Sequence, residues 1–287
     1  MTSFASFVAH AQKNQDPIIM GIVNITADSF YDGGSYLGLG RAKERVHQLI
    51  EEGAELLDFG AESTRPGAPA IPAATQLARL EPIVEYAREL DAWISIDTTQ
   101  SAVARPLLNN GAHLINDVSC LSDPELAGCI GDENAMLMLM HSRGSMQTMT
   151  GFSEYAAEAY QDVVEEVRQE WQEALQRAEL QGLARSSIIF DPGLGFHKNA
   201  DQSAELLKNL GCFQDLNVPI ALGASRKSFI GSLDGSPAKE RLPGSLAAAI
   251  LGFQAGATIF RVHDVKETRQ ALLALKAFSP GRPLPHV

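Results

Sequence analysis

The sequence predicts an α/β fold, a single-domain (β/α)8 TIM barrel, and three observations carry that expectation. Eight short apolar runs each end in a polar residue or a Gly/Pro turn, among them Ile22-Val23-Asn24, Ile94-Ser95-Ile96-Asp97, Leu114-Ile115-Asn116-Asp117 and Ile188-Ile189-Phe190-Asp191. The runs are apolar nearly throughout, as parallel strands covered on both faces are. Helix-length segments separate them, and their polar residues gather where the strands end, the rim on which such barrels build active sites.

Taken in order, residues 1–16 read as a polar N-terminal leader and 17–287 as the barrel. Strand one is expected over 18–25, followed by a glycine-rich connection over 26–40 that is long for a βα loop. The next helix carries Ala42, Val46, Leu49 and Ile50 on one stripe. Strand two, 56–60, feeds a loop over 61–72 too rich in proline for a helix or a central strand. A helix with Leu77, Leu80, Ile83, Val84 and Ala87 leads to strand three, ending on Asp97. A helix over 102–108 and strands ending at Asp117 and His141 follow, then a third loop over 142–151. The longest helix is expected over about 154–181, where Val163, Val167, Trp171, Leu175 and Ala178 recur at near-3.6 spacing. Strand six ends in Asp191 because Pro192 and Gly193 stop it. A short helix over 204–210, strand seven over 219–224, an apolar helix over 244–255, strand eight, and a helix over 265–278 complete the count.

At 287 residues, 45% hydrophobic, the chain suits one barrel domain, and no apolar run approaches the ~18 residues that span a bilayer. No basic region precedes the apolar patch at the N-terminus, so no signal peptide is read and a cytoplasmic location is expected. Cys120, Cys129 and Cys212 have neither metal-ligand nor disulfide-framework spacing and read as packing residues. A net charge of −12 excludes a general nucleic-acid binder. Cations do cluster at the ends of strands seven and eight, as Arg226-Lys227 and Arg261-Val262-His263, which points to an anion there. The apolar helix over 244–255 lacks the polar face of an outer helix, so a homodimer through it is expected.

The rim thus offers Asn24, Asp97, Asn116, Asp191, Lys227, Arg261 and His263. Loops after strands seven and eight are the usual phosphate site of this barrel, and Lys227, Arg261 and His263 offer the charge and donors for it. Ionised carboxylates accept paired N–H donors. A nitrogen heterocycle bearing phosphate is the ligand these residues predict.

The chain resembles the dihydropteroate synthase family over nearly its whole length. The resemblance is carried by Gly21-Ile-Val-Asn-Ile-Thr-Ala-Asp-Ser-Phe-Tyr-Asp-Gly-Gly, Glu62-Ser-Thr-Arg-Pro-Gly, Ser95-Ile-Asp-Thr, Ile115-Asn-Asp-Val, Met140-His, Asp191-Pro-Gly-Leu-Gly-Phe, Ser225-Arg-Lys-Ser-Phe-Ile-Gly and Arg261-Val-His-Asp-Val. It implies condensation of 6-hydroxymethyl-7,8-dihydropterin diphosphate with 4-aminobenzoate to 7,8-dihydropteroate and diphosphate. It further implies that Asp97, Asn116, Asp191 and Lys227 hold the pterin, and that Asn24, Arg261 and His263 take the diphosphate, with Asn24 a ligand of Mg2+. Asp97, Lys227, Arg261 and His263 would be the catalytic groups. Asp32 in the first loop, Thr64, Arg65 and Pro66 in the second, and Phe196 and Ser228 would build the 4-aminobenzoate site.

Departures from the family pattern fall at Ala27, Ala61, Met146, His197 and Gln202-Ser203, which are expected to touch the edge of the 4-aminobenzoate pocket. They read as drift in a working enzyme or as a pocket that discriminates against sulfonamides. Of the remaining candidates, His141 reads as a partnered rim histidine or a substrate contact, and Asp117 as structural. Asp58 is open between barrel interior and helix side. Two other functions compete. A pterin-dependent methyltransferase domain has no diphosphate to hold, against the clusters at 225–228 and 261–263; a catalytically idle pterin binder would be expected to lack Asn24, Lys227, Arg261 and His263.

Overall fold

The computed structural model describes residues 3–25, 35–62, 70–144, 149 and 151–279. Eight parallel strands run as β1 (Ile18–Asn24), β2 (Leu56–Gly60), β3 (Trp93–Asp97), β4 (Leu114–Asp117), β5 (Met136–Met140), β6 (Ile188–Asp191), β7 (Ala221–Leu222) and β8 (Ile259–Val262). Their order is β6-β5-β4-β3-β2-β1-β8-β7. A bridge between Phe190 and Ile220, and the Phe190 N–H donating to the Pro219 carbonyl at 2.9 Å, close the ring between β6 and β7. Strand seven is shorter than the expected 219–224.

Side-chain alternation along each strand sorts the barrel. Ile19, Val23, Leu57, Phe59, Ile94, Ile96, Ile115, Leu137, Phe190 and Phe260 belong to the large apolar layer shared with the helices. Ile18, Met20, Leu56, Leu114, Met136, Met138, Ile189, Ala221 and Ile259 form a second cluster, the filled lower barrel. One period on from these inward positions stand Asp58, Asn116, Asp191 and Arg261, and Ser95 and Asp97 share their phase through the β2–β3 and β3–β4 registers. The polar site is thus the top layer of the same inward-facing column.

The helices are α1 (Phe4–Asn14), α2 (Ser35–Glu51), α3 (Ala73–Ala87), α4 (Ser101–Asn109), α5 (Leu126–Asp132), α6 (Val163–Leu180), α7 (Ala200–Lys208), α8 (Ser228–Gly231), α9 (Leu242–Gln254) and α10 (Val265–Phe278). Several boundaries correct the sequence reading. The polar leader over 1–16 is instead largely helix α1, which buries Phe4, Val8 and Ala11 in the lower-barrel cluster, with Phe4 5.2 Å from the Trp93 ring. Apolar residues at 4, 8 and 11 are the helical stripe that a polar composition hid. The first loop is helical from Ser35 rather than extending to 40. Helix α6 begins at Val163, not near 154, because the Asp162 carboxylate caps it by accepting from the Val164 and Glu165 N–H groups. Helix α7 starts earlier than 204, at Ala200, where Asn199 and Gln202 form a capping box. Helices α5 and α8, of seven and four residues, are too short to show a helical period in the sequence. Among the described residues, no helix is long and apolar enough to cross a membrane.

Candidate active site

At the mouth of the barrel a buried polar network joins four strands. The Arg261 guanidinium donates from Nε to Asp58 Oδ2 at 2.6 Å and from NH2 to Asp97 Oδ2 at 2.7 Å. Asp58 also accepts from the Ser95 hydroxyl at 2.6 Å and from the Asn116 amide at 3.1 Å. Burial raises the Asp97 carboxyl above its ordinary range against the pull of Arg261, and the Asp58 carboxylate adds to the rise. The open question over Asp58 is therefore answered: it lies in the barrel interior and orients both Asn116 and Arg261.

Asp191 ends β6 at 5% exposure and accepts from the Gly193 N–H at 2.7 Å. Gly193 has φ +67°, and a Cβ there would lie 2.1 Å from the His141 carbonyl oxygen, so the turn that presents Asp191 requires glycine. Burial raises the Asp191 carboxyl, with Lys227 the main opposing charge. Lys227 donates to the Leu194 carbonyl at 2.6 Å and sits 4.6 Å from the Phe196 ring centroid. Burial lowers its ammonium to about 8, with Asp191 resisting the shift. Phe196 meets Phe152 edge-on, ring centroids 5.4 Å apart, and the Ser228 hydroxyl pairs with that of Ser153 at 2.8 Å.

At the end of β8, the His263 Nδ1 lies 3.0 Å from the Ser225 hydroxyl, whose oxygen also accepts the His263 N–H at 3.2 Å. Burial, then repulsion from Arg261 and Arg226, lowers the imidazole to about 4. The ring is neutral at physiological pH. A hydroxyl donating to Nδ1 leaves Nε2 as a donor for an anion. Arg226 is turned aside to pair with Asp264. Asn24 ends β1 with its side chain exposed. Asp32, Thr64, Arg65, Pro66 and the departures Ala27 and Met146 lie outside the described residues.

Four other positions are structural. Asp117 accepts the N–H groups of Ser119 and Leu121, at 2.9 and 2.6 Å, and holds the turn after β4. His141 is fully buried, with Nε2 2.9 Å from Glu170 Oε2 and Nδ1 2.9 Å from Lys198 Nζ. His197 and Gln202, expected at the pocket edge, are tied into the segment after β5. The His197 Nδ1 pairs with the Ser142 hydroxyl at 2.9 Å and its carbonyl accepts from Tyr160, while the Gln202 amide donates to the Ala156 and Ala157 carbonyls. His197 has φ +48°, the left-handed region that favours glycine, so the histidine side chain sits on a backbone that most residues avoid.

Sequence reasoning missed Lys198, which is fully buried in the loop after β6 and reached by carbonyls that only the folded chain brings together. Among the described residues no group of three or more His, Cys, Asp or Glu could hold a metal ion.

A family model described as "Pterin binding enzyme" matches residues 20–263. The dihydropteroate synthase of Escherichia coli (strain K12) is 41% identical over 262 residues, covering 91% of each chain. Among solved structures, dihydropteroate synthase from Xanthomonas albilineans with 4-aminobenzoic acid aligns with TM-score 0.84 at 39% identity, over 92% of this chain and 93% of that one. The same organism's enzyme in complex with 7,8-dihydropteroate aligns with TM-score 0.79 at 33% identity, over 92% and 93% of the two chains.

Proposed function

The chain belongs to the pterin-binding enzyme family and is a transferase of the dihydropteroate synthase group, and we propose that its barrel mouth performs that reaction through three adjoining subsites. It condenses 6-hydroxymethyl-7,8-dihydropterin diphosphate with 4-aminobenzoate, giving 7,8-dihydropteroate and diphosphate for folate biosynthesis. The observation that carries the subsite reading is the inward-facing ring in which Asp97 pairs with Arg261, Asn116 is joined to Arg261 through Asp58, and Asp191 faces the charge of Lys227.

In this reading Asp97, Asn116 and Asp191 receive the pterin's ring N–H groups, and Lys227 donates to its ring. Each carboxylate is buried and positioned by a fixed partner, so little reorganisation is needed when substrate arrives. Arg261 and the Nε2–H of His263 then face the diphosphate. As the C–O bond of the pterin methylene breaks, its electron pair leaves on the diphosphate and positive charge spreads into the pterin. The carboxylate of Asp97 stabilises that charge. The arylamine lone pair closes the C–N bond, and the nitrogen sheds one proton. An arylamine is already nucleophilic, so no general-base triad is required.

Mg2+ fits the donor set. It binds through phosphate oxygens and water with only one or two protein ligands, and exposed Asn24 offers one such oxygen. Bound there, it would supply Lewis acidity to the leaving group. In this reading Phe196 and Ser228 border the 4-aminobenzoate side of the site, to which the family resemblance also assigns Asp32, Thr64, Arg65 and Pro66, and sulfonamides would share it. We further place the enzyme in the cytoplasm as a homodimer.

The test is diphosphate release and dihydropteroate formation, followed by chromatography, with each substrate and Mg2+ omitted in turn. Product is expected only when all three are present. Pterin binding without coupled product would replace the synthase with a binding-only protein.

A further inference from the structure

Lys198 stands out among the groups the reaction does not use. Its side chain is fully buried, yet it carries an amine. The Nζ lies 3.0 Å from the Phe196 carbonyl oxygen, 3.2 Å from that of Gly193 and 3.4 Å from that of His141, and 2.9 Å from the His141 Nδ1. These acceptors belong to two loops, one following β5 and one following β6. The imidazole can accept there only as the Nε2–H tautomer, which its contact with the Glu170 carboxylate imposes. Glu170 in turn accepts from Arg143 Nε at 2.9 Å, and a terminal nitrogen of the same guanidinium donates to Glu166 on α6 at 2.6 Å. A chain of contacts therefore runs from α6 to the carbonyl of Phe196.

What that chain fixes is the attitude of one ring. The Phe196 carbonyl is held from behind by Lys198, and its ring is held in front by Phe152 and Lys227. Asp191, the nearest carboxylate to Lys198 in charge, has two further cations facing it, Lys227 and Arg261, so it does not depend on Lys198 alone.

We propose that Lys198 is a positioning residue for the arylamine half of the site: by gathering the Gly193 and Phe196 carbonyls against the end of β5, it sets the Phe196 wall on which 4-aminobenzoate lies. This rests on the assignment of Phe196 to that wall, so the experiment carries Phe196→Ala beside the lysine variants.

Steady-state kinetics would be measured for both substrates with Lys198→Met, Lys198→Gln and Phe196→Ala, together with the pterin diphosphate Kd by calorimetry. Methionine keeps the length and removes every donor; glutamine keeps two N–H donors on a shorter stem. The Lys198→Met KM for 4-aminobenzoate should rise about tenfold or more, as misplacement of a binding surface predicts. Its pterin Kd should stay within about threefold, because Asp191 keeps two cations. Lys198→Gln should recover much of the loss, and it serves as the reporting variant if Lys198→Met does not fold. Equal weakening toward both substrates, or an unchanged KM for 4-aminobenzoate in either folded lysine variant, would overturn the inference while leaving the wall intact. An unchanged KM in Phe196→Ala would overturn the wall assignment itself and the inference with it.

Discussion

Asp58 and Arg261 set the chemistry at the scale of single residues. Asp58 is fully buried and serves three donors at once, so its loss would strand a guanidinium, an amide and a hydroxyl in the barrel. Asp58→Ala should therefore cost about 3–5 kcal/mol, the penalty for breaking a buried pair by removing one partner, read as a shifted urea midpoint. Asp97→Asn keeps the shape but not the charge that the proposed site turns toward the pterin, and kcat/KM should fall by roughly 10²-fold or more with the fold retained by circular dichroism. Lys227 titrates in a useful window. Its ammonium is lowered to about 8 by burial, so its positive charge is lost as pH rises through that value. Affinity for the pterin diphosphate should weaken above about pH 8 by calorimetry, and Lys227→Arg should remove that dependence, since a guanidinium stays charged. Asp97 and Asp191 could be read from the sequence because each ends an apolar strand, and Asn116 because it stands next to the end of one. Asp58 could not, because it sits inside its strand, and only the phase shared with Asp97 across the β2–β3 register shows which face it takes.

Two elements do more than the sequence suggested. Helix α1 closes the lower end of the barrel, opposite the polar rim, and Phe4 is its main anchor at 5% exposure. Phe4→Ala should cost about 3 kcal/mol in denaturant unfolding, the lower end for truncating a buried aromatic. Because the helix lies far from the chemistry, kcat/KM at a temperature below unfolding should stay unchanged. A second element-level tie joins the end of β5 to α6 through His141 and Glu170. Burial, reinforced by Lys198, lowers the His141 imidazole to about 3, against 6.5 for the free side chain. The folded state therefore binds fewer protons than the unfolded state between those values, so this group's contribution is present above about pH 6.5 and is lost as pH falls through the window. The stability gap between the natural protein and His141→Gln should be widest near about pH 7.5 and narrow by about pH 5, in paired urea titrations. A gap independent of pH would show that folding leaves the histidine's proton affinity unchanged, and a gap that shifts toward greater stability as pH falls would show that the histidine is charged in the fold. Apolar stripes made α2 and α3 readable in the sequence. The caps at Asp162 and Asn199 that set the starts of α6 and α7 are local hydrogen bonds that periodicity does not register.

For the whole molecule, the remaining expectation concerns what covers α9. Helices around a barrel normally show water a charged face, yet α9 carries no charged residue across its thirteen positions. Its small residues Ser245, Ala248, Ala249 and Gly252 pack inward, where a Cβ on Gly252 would come within 2.3 Å of Leu222, so the helix lies close on β7. The outward side is left with Leu251, 51% exposed, while Leu273 and Phe278 of α10 line a separate groove beside α2. Apolar surface of this kind on a chain of net charge −12 is better buried against a second copy than left to water, because a two-fold axis lets one patch serve both partners. Light scattering at about 10 µM should give the mass of a dimer, and Leu251→Glu, which places a charge in that patch, should give a monomer. Each barrel carries its own polar ring, and its lower end is closed by its own α1. The monomeric variant should therefore retain its affinity for the pterin diphosphate, and a dimer that persists in Leu251→Glu would move the interface away from α9.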